Sequence, residues 1–138
     1  MLTSAAESLK FWRKMKTLVG RVGSGKGDFA QWIAKLSDHY ERKTGMRLFP
    51  GTLNVHLEKE YRLPSECTRL EGAEYGGNVS VNLVPCTILG KRAFILRTDA
   101  NEEGNGDHPR QVVEIATDIK LRDAFHLVDG SVVVIHVD

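Results

Sequence analysis

From Thr52 onward the chain runs in short stretches of alternating apolar and polar residues, punctuated by glycine turns. Successive side chains of a strand point to opposite faces. Thr52 to Leu57 therefore puts Leu53, Val55 and Leu57 on one face and Thr52, Asn54 and His56 on the other. After Gly76 and Gly77, the residues Val79, Val81 and Leu83 alternate with polar neighbours, and Pro85–Leu89 and Lys91–Leu96 flank Gly90 as a hairpin. Val112, Val113 and Ile115 mark a further strand, and Asp129-Gly130 turns the chain into the β-branched run Val132–Val137. Open strand edges invite aggregation, and closing the sheet on itself removes them. Many short strands with one or two helices thus predict a mainly β fold, a small closed β-barrel.

The first part of the chain reads differently. Residues 1–16 form a leader in which Leu9, Phe11 and Trp12 are the large apolar groups, and residues 17–138 form the barrel domain. Thr17–Val22 is a short strand running into Gly23-Ser24-Gly25-Lys26-Gly27. Asp28 stands where a helix N-cap belongs, and Phe29, Ile33, Leu36 and Tyr40 give one apolar helical stripe that ends at Gly45. Further on, Asp99–Pro109 is a polar, glycine-containing loop and Ile119–Leu127 a short helix.

Length and composition bound the function. A chain of 138 residues suits one domain with one sizeable core. A net charge of +1 argues against a general nucleic-acid binder. No apolar stretch reaches the roughly 20 residues that span a bilayer, and Lys10, Arg13, Lys14 and Lys16 make Leu2–Val19 too polar for a secretory signal. Cys67 and Cys86 lack metal-ligand spacing and read as reduced thiols of a cytoplasmic protein. The histidines form no local zinc-like cluster.

Two features carry chemistry. The polar face of the Thr52–Leu57 strand presents a hydroxyl and an amide oxygen two residues apart, a seat for a hard cation such as Mg²⁺. The glycine loop lies between a strand and a helix N-terminus, where free backbone N–H groups favour an anion. Each has a plainer reading, since Thr and Asn on a strand face are usually just solvated and a glycine cluster is usually a flexible turn. Their joint occurrence points to phosphoryl transfer. Gly20 to Gly27 nearly matches the Walker A pattern, but Gly27 stands where that motif needs a Ser or Thr hydroxyl for Mg²⁺. The alternating strand–helix units of a parallel sheet are also missing, so the loop reads as a generic phosphate cradle.

Four segments, in this order and approximate spacing, resemble the archaeal-type CTP-dependent riboflavin kinases. They are Gly23–Gly27 after a short strand, Phe49-Pro50-Gly51-Thr52-Leu53-Asn54-Val55, Val112-Val113-Glu114-Ile115-Ala116, and Lys120-Leu121-Arg122-Asp123 followed by Phe125, Leu127, Asp129-Gly130 and the terminal strand. The resemblance implies a six-stranded β-barrel of the cradle-loop type and transfer of the CTP γ-phosphate to the riboflavin 5′-hydroxyl, giving FMN and CDP. It implies Mg²⁺ on Thr52 and Asn54, with Asn54 and Glu114 catalytic. Gly23, Ser24, Gly25, Lys26, Gly27 and Asp28 would wrap the nucleotide, together with Thr117, Asp118, Ile119, Lys120, Leu121 and Arg122. Thr98 and Glu114 would contact the flavin. Lys26 and Asp28 depart from the family's loop, and the Asp99–Arg110 segment is longer than usual. Other readings are a non-catalytic flavin- or nucleotide-binding barrel and a small barrel used for protein or DNA contact.

Overall fold

Alternation of buried and exposed residues along β2 (Leu53–Leu57) is complete: Leu53, Val55 and Leu57 point into a core, whereas His56 is exposed and Thr52 and Asn54 are half-buried. The same parity builds the whole wall. In the computed structural model, which describes residues 16–25 and 28–138, the strands are β1 (Lys16–Gly23), β2, β3 (Thr68–Leu70), β4 (Val81–Ile88), β5 (Lys91–Thr98), β6 (Val112–Ala116) and β7 (Val132–Val137). They pair in the order β3-β4-β5-β6-β2-β1-β7, and a further β4–β7 pairing closes the ring. Every pairing is antiparallel. The result is the expected closed six-stranded barrel, with β3 added as a short extra strand on β4.

β4 serves two neighbours on one edge. Val81–Leu83 pairs with β3, and Cys86–Ile88 pairs with β7. The β4–β5 hairpin turns through Leu89 and Gly90, both at positive φ, the geometry of a tight two-residue connection.

Inside the ring lie Val55, Val84, Cys86, Ile88, Ala93, Ile95, Val113, Ile115 and Ile135, all essentially solvent-free. A second core lies on the outer face, where Phe29, Ile33 and Tyr40 cover Leu83, Phe94, Leu96 and Ala116. The stripe expected over residues 29–44 is real but is split into α1 (Phe29–Lys35) and α2 (Ser37–Thr44), broken at Leu36 with φ −108° and ψ 30°. Ser37 and Asp38 favour a helix start over a helix interior, so the chain restarts there. Asp28 holds the N-cap position of α1 without a side-chain cap bond, and Gly45 ends α2 in the left-handed conformation. The helix expected over Ile119–Leu127 is confined to α4 (Leu121–Ala124), because His126 turns to φ 52° and Leu127 N–H closes back on the Arg122 carbonyl. The leader expectation falls on residues outside those described, Lys16 excepted.

One buried cation organises the long loop after β5. Arg97 is 2% exposed and shares its parity with Ala93 and Ile95, so its guanidinium lies at the mouth of the barrel. It donates to the carbonyls of Tyr61, Arg110 and Val112 and pairs with Glu102 Oε1 at 2.9 Å. Glu102 ends the short helix α3 (Asp99–Glu102), accepts from Leu63 N–H and offers its own carbonyl to Arg110 Nε at 2.7 Å. Both ends of the 99–110 loop are therefore fixed by one side chain. Replacing Arg97 with Met strands these carbonyls and the Glu102 carboxylate. The expected loss of stability is roughly 3 kcal/mol, read as a lower urea midpoint at unchanged m-value.

Candidate functional site

The register across β1, β2 and β6 builds a polar row on the outer face. Gly23 pairs with Asn54, and Asn54 pairs with Glu114. Thr52, just ahead of β2, joins this row by donating its hydroxyl to Glu114 Oε1 at 2.8 Å. That bond uses the only hydrogen of the hydroxyl and leaves its oxygen lone pairs free.

The glycine loop lies directly over β2. A Cβ at Gly23 would fall 2.5 Å from the His56 ring, and one at Gly25 only 1.9 Å from Asn54 Oδ1. Glycine is needed here for close approach of backbone to side chain. Asn54 Oδ1 is fully buried by this contact. Among the described residues, it and His108 Nε2 are the buried side-chain polar atoms without a hydrogen-bond partner. A buried acceptor left unpaired is costly, and such atoms concentrate where a ligand completes them. An orphaned carboxamide oxygen beside a hydroxyl with free lone pairs is a donor set that fits a hard divalent cation.

Two recesses meet at this row. The larger, about 500 Å³, is lined by Asp28, Phe29, Trp32, Tyr75, Thr98, His108 and Glu114 among others, and it runs under α1 toward the 99–110 loop. A volume of this size with an apolar, aromatic wall and a few polar groups suits an organic ligand. The smaller, about 70 Å³, is bounded by Phe49, Gly51, Thr52, Ile119, Lys120, Leu121 and Arg122. Thr52 borders the second recess and bonds Glu114 in the first, so the row is their common wall.

Arg122 reaches across to the loop. Its guanidinium donates to the Gly23 carbonyl at 3.2 Å and to Asp129 Oδ1 at 2.6 Å, and Ser24 Oγ lies 3.4 Å from Asp129 Oδ2. The Arg122 guanidinium holds the Asp129 carboxyl below the usual carboxylate range. Several other candidates are engaged with partners of their own. Thr117 is buried and donates to the Arg92 carbonyl at 2.6 Å, and Asp118 pairs with Lys91 at 2.6 Å. Leu121 belongs to the barrel core, and Lys120 is exposed beside Asp123. Thr98 borders the large recess, but its hydroxyl caps α3 by accepting from Asn101 N–H at 3.1 Å. Lys26 and Gly27 lie outside the described residues.

Sequence reasoning passed over Trp32, Tyr75 and His108, all at the large recess. Trp32 and Tyr75 stand 6.1 Å apart, tilted by 52°. The spacing of Trp32 placed it off the apolar stripe of its helix, the one available hint that it faces something other than the core.

Matching to known families then decides the kinship. The CTP-dep_RFKase family, described as a domain of unknown function (DUF120), matches residues 22–137. The chain belongs to that family. Relatives named riboflavin kinase include one from Pyrobaculum aerophilum, 33% identical over 135 residues that cover 87% of this chain and 60% of the relative. One from Methanopyrus kandleri is 29% identical over 128 residues, covering 86% and 81%. A third, from Methanospirillum hungatei, is 30% identical over 139 residues, covering 92% and 61%. The chain thus spans about three fifths of the Pyrobaculum aerophilum and Methanospirillum hungatei relatives it matches. The four segments noted from sequence lie within the CTP-dep_RFKase match or at its edge. Among the described residues, no helix is long and apolar enough to cross a membrane, and no three His, Cys, Asp or Glu side chains gather as a metal group.

Burial pushes the Glu114 carboxyl above its ordinary range, against the Thr52 hydrogen bond and His108, which favour the charged form; Asp28 and Asp107 push it further up. A carboxyl whose folded pKa is raised destabilises the fold once it must ionise. The penalty is absent below the unfolded pKa and grows as pH rises toward the folded one. Glu114→Gln removes that penalty while keeping an oxygen for Thr52. The variant is expected to unfold at higher urea than the parent at neutral pH, with the two curves converging in acid below the ordinary carboxylate range.

Proposed function

We propose that this chain is a CTP-dependent riboflavin kinase of the cytoplasm, transferring the γ-phosphate of CTP to the riboflavin 5′-hydroxyl to give FMN and CDP. One observation carries the reading. The unpaired, buried Asn54 oxygen and the buried Glu114 carboxyl stand on paired strand positions, the first under Gly25 of the glycine loop and the second in the wall of the organic-ligand recess. Family membership and relatives named riboflavin kinase support the choice of substrates.

The roles follow from chemistry. The flavin ring occupies the large recess, with Phe29, Trp32 and Tyr75 as its apolar wall and Thr98 at its edge, and the polyol chain points toward Glu114. The triphosphate would contact the loop that begins Gly23-Ser24-Gly25, and the base end would extend along the recess lined by Ile119–Arg122. Thr52 and Asn54 would hold Mg²⁺. A bound Mg²⁺ would neutralise phosphate charge and complete its shell with phosphate oxygens and water.

This chain's own residues supply positioning and a proton acceptor. The transition state of phosphoryl transfer is loose, so alignment and charge matter more than covalent help. Glu114 accepts the proton as the 5′ O–H bond breaks, the new O–P bond forms and the bond from phosphorus to the β-phosphate oxygen breaks. Its raised pKa makes it a better base than an exposed carboxylate would be. Thr52 keeps one carboxylate oxygen occupied and turns the other toward the recess. Arg122, now on Asp129 and Gly23, sits where an incoming phosphate would compete with Asp129 for its guanidinium.

The direct test is FMN formation, followed by chromatography, with riboflavin, CTP and Mg²⁺. Asn54→Ala, still folded, is expected to lose about 10²- to 10³-fold in turnover, the size of a lost preorganised electrostatic contact; unchanged turnover rejects the metal role. Offered each nucleoside triphosphate in turn, the protein is expected to use CTP ahead of ATP. Faster FMN production with ATP would point to another base pocket, and flavin binding without turnover would leave a binding module.

A further inference from the structure

His108 is the second orphan of the site. Its side chain is 10% exposed, it lines the large recess, and its Nε2 is buried with no hydrogen-bond partner. Nε2 lies 3.8 Å from Glu114 Oε2, beyond a direct hydrogen bond. Glu114 Oε1 is already taken by Thr52, so Oε2 and the buried imidazole nitrogen are left as a fork of two groups without hydrogen bonds in the wall of the recess. A gap of 3.8 Å is bridged by one hydroxyl oxygen about 2.8 Å from both tines once the imidazole turns its buried edge toward the recess.

The fork discriminates among ligand groups. With the imidazole hydrogen on Nε2, a hydroxyl, like water, offers what both sides need, a hydrogen for the carboxylate and a lone pair for the N–H. An ether or carbonyl has no hydrogen for Glu114, and an ammonium has no lone pair for His108.

We propose that His108 is a substrate-orienting residue that binds a hydroxyl of the polyol chain jointly with Glu114. The inference rests on the kinase reading above and gives it a geometric consequence. A hydroxyl oxygen has two lone pairs. With its hydrogen on Glu114 and one lone pair on His108, the remaining lone pair has a fixed direction, and that is the pair that attacks phosphorus. His108 is itself placed by the loop that Arg97 fixes at both ends, and its backbone N–H lies 3.5 Å from Asn101 Oδ1.

The test compares two flavins by fluorescence quenching in the absence of nucleotide. Riboflavin carries the polyol chain; lumiflavin has the same ring with a methyl group in its place. The parent protein is expected to bind riboflavin more tightly than lumiflavin. His108→Ala is expected to weaken riboflavin about tenfold, the worth of one good hydrogen bond, and to leave lumiflavin binding unchanged. His108→Gln, which keeps an N–H near the same place, is expected to restore most of the riboflavin preference.

The outcomes separate cleanly. Riboflavin affinity in His108→Ala equal to the parent's overturns the inference, and so does an equal loss of both flavins, which marks a structural role. If the Ala protein does not fold, His108→Phe, which fills the same space without an N–H, takes its place, and a riboflavin affinity equal to the parent's overturns the inference as well. Absence of riboflavin binding by the parent protein overturns the kinase reading and takes this inference with it. Intact FMN production alongside an unaltered His108→Ala affinity sinks the His108 role alone.

Discussion

The pairing register of β2 is the constraint on which the site depends. β2 lies between β1 and β6, and one row of partners runs Gly23, Asn54, Glu114, then Leu96 on β5. That row fixes where the glycine loop leaves the wall, where the carboxamide projects and where the carboxylate stands. A slip of one residue would carry Asn54 into the barrel and Val55 out of it. Such a slip would bury a polar amide among Val22, Ile115 and Val133 and expose a side chain that is now 0% accessible. The hydrophobic interior therefore enforces the alignment of polar groups on the opposite face.

That arrangement has a thermodynamic cost. Glu114 is a buried carboxyl, Asn54 Oδ1 and His108 Nε2 are buried without partners, and Asp28 and Asp107 add negative charge around them. Each of these lowers the stability of the isolated protein. The wall beneath is built of fully buried branched side chains that absorb the loss. A ligand bringing a cation and hydroxyl groups would reverse several of these penalties at once, so binding is expected to tighten the outer face without altering the barrel. Strain of this kind in an otherwise well-packed fold marks the place where structure serves chemistry.

Much of the architecture was legible in the residues themselves. Period-two alternation identified β2, which has one face in a core and one outside, whereas β7 was read from its β-branched run, the β4–β5 hairpin from its turn at Gly90, and β6, buried on both faces, from its apolar residues. β3 is three residues long and was not read from the sequence, since a strand that short carries no periodicity. The break at Leu36 was hidden because its neighbours keep helical spacing on either side. Thr52, Asn54 and Glu114 were legible as a group because strand parity and a family likeness agreed on them. Arg97 could have been found by parity alone, as it lies two residues beyond Ile95 on the inward face. His108 could not, because its position depends on a loop whose path is set by Arg97, Glu102 and Arg110 rather than by any local pattern.

The double role of β4 has a consequence for assembly. β7, the final strand in chain order, supplies the second neighbour of β1 and also covers the half of β4 that β3 leaves open. Until those residues leave the ribosome, two edges of the wall stand bare, more than a hundred positions of sequence separating strands that must meet. Ring closure is thus the slow, long-range event of folding. A nascent chain waiting for Val132–Val137 presents open backbone to its neighbours, and it would need shielding during synthesis.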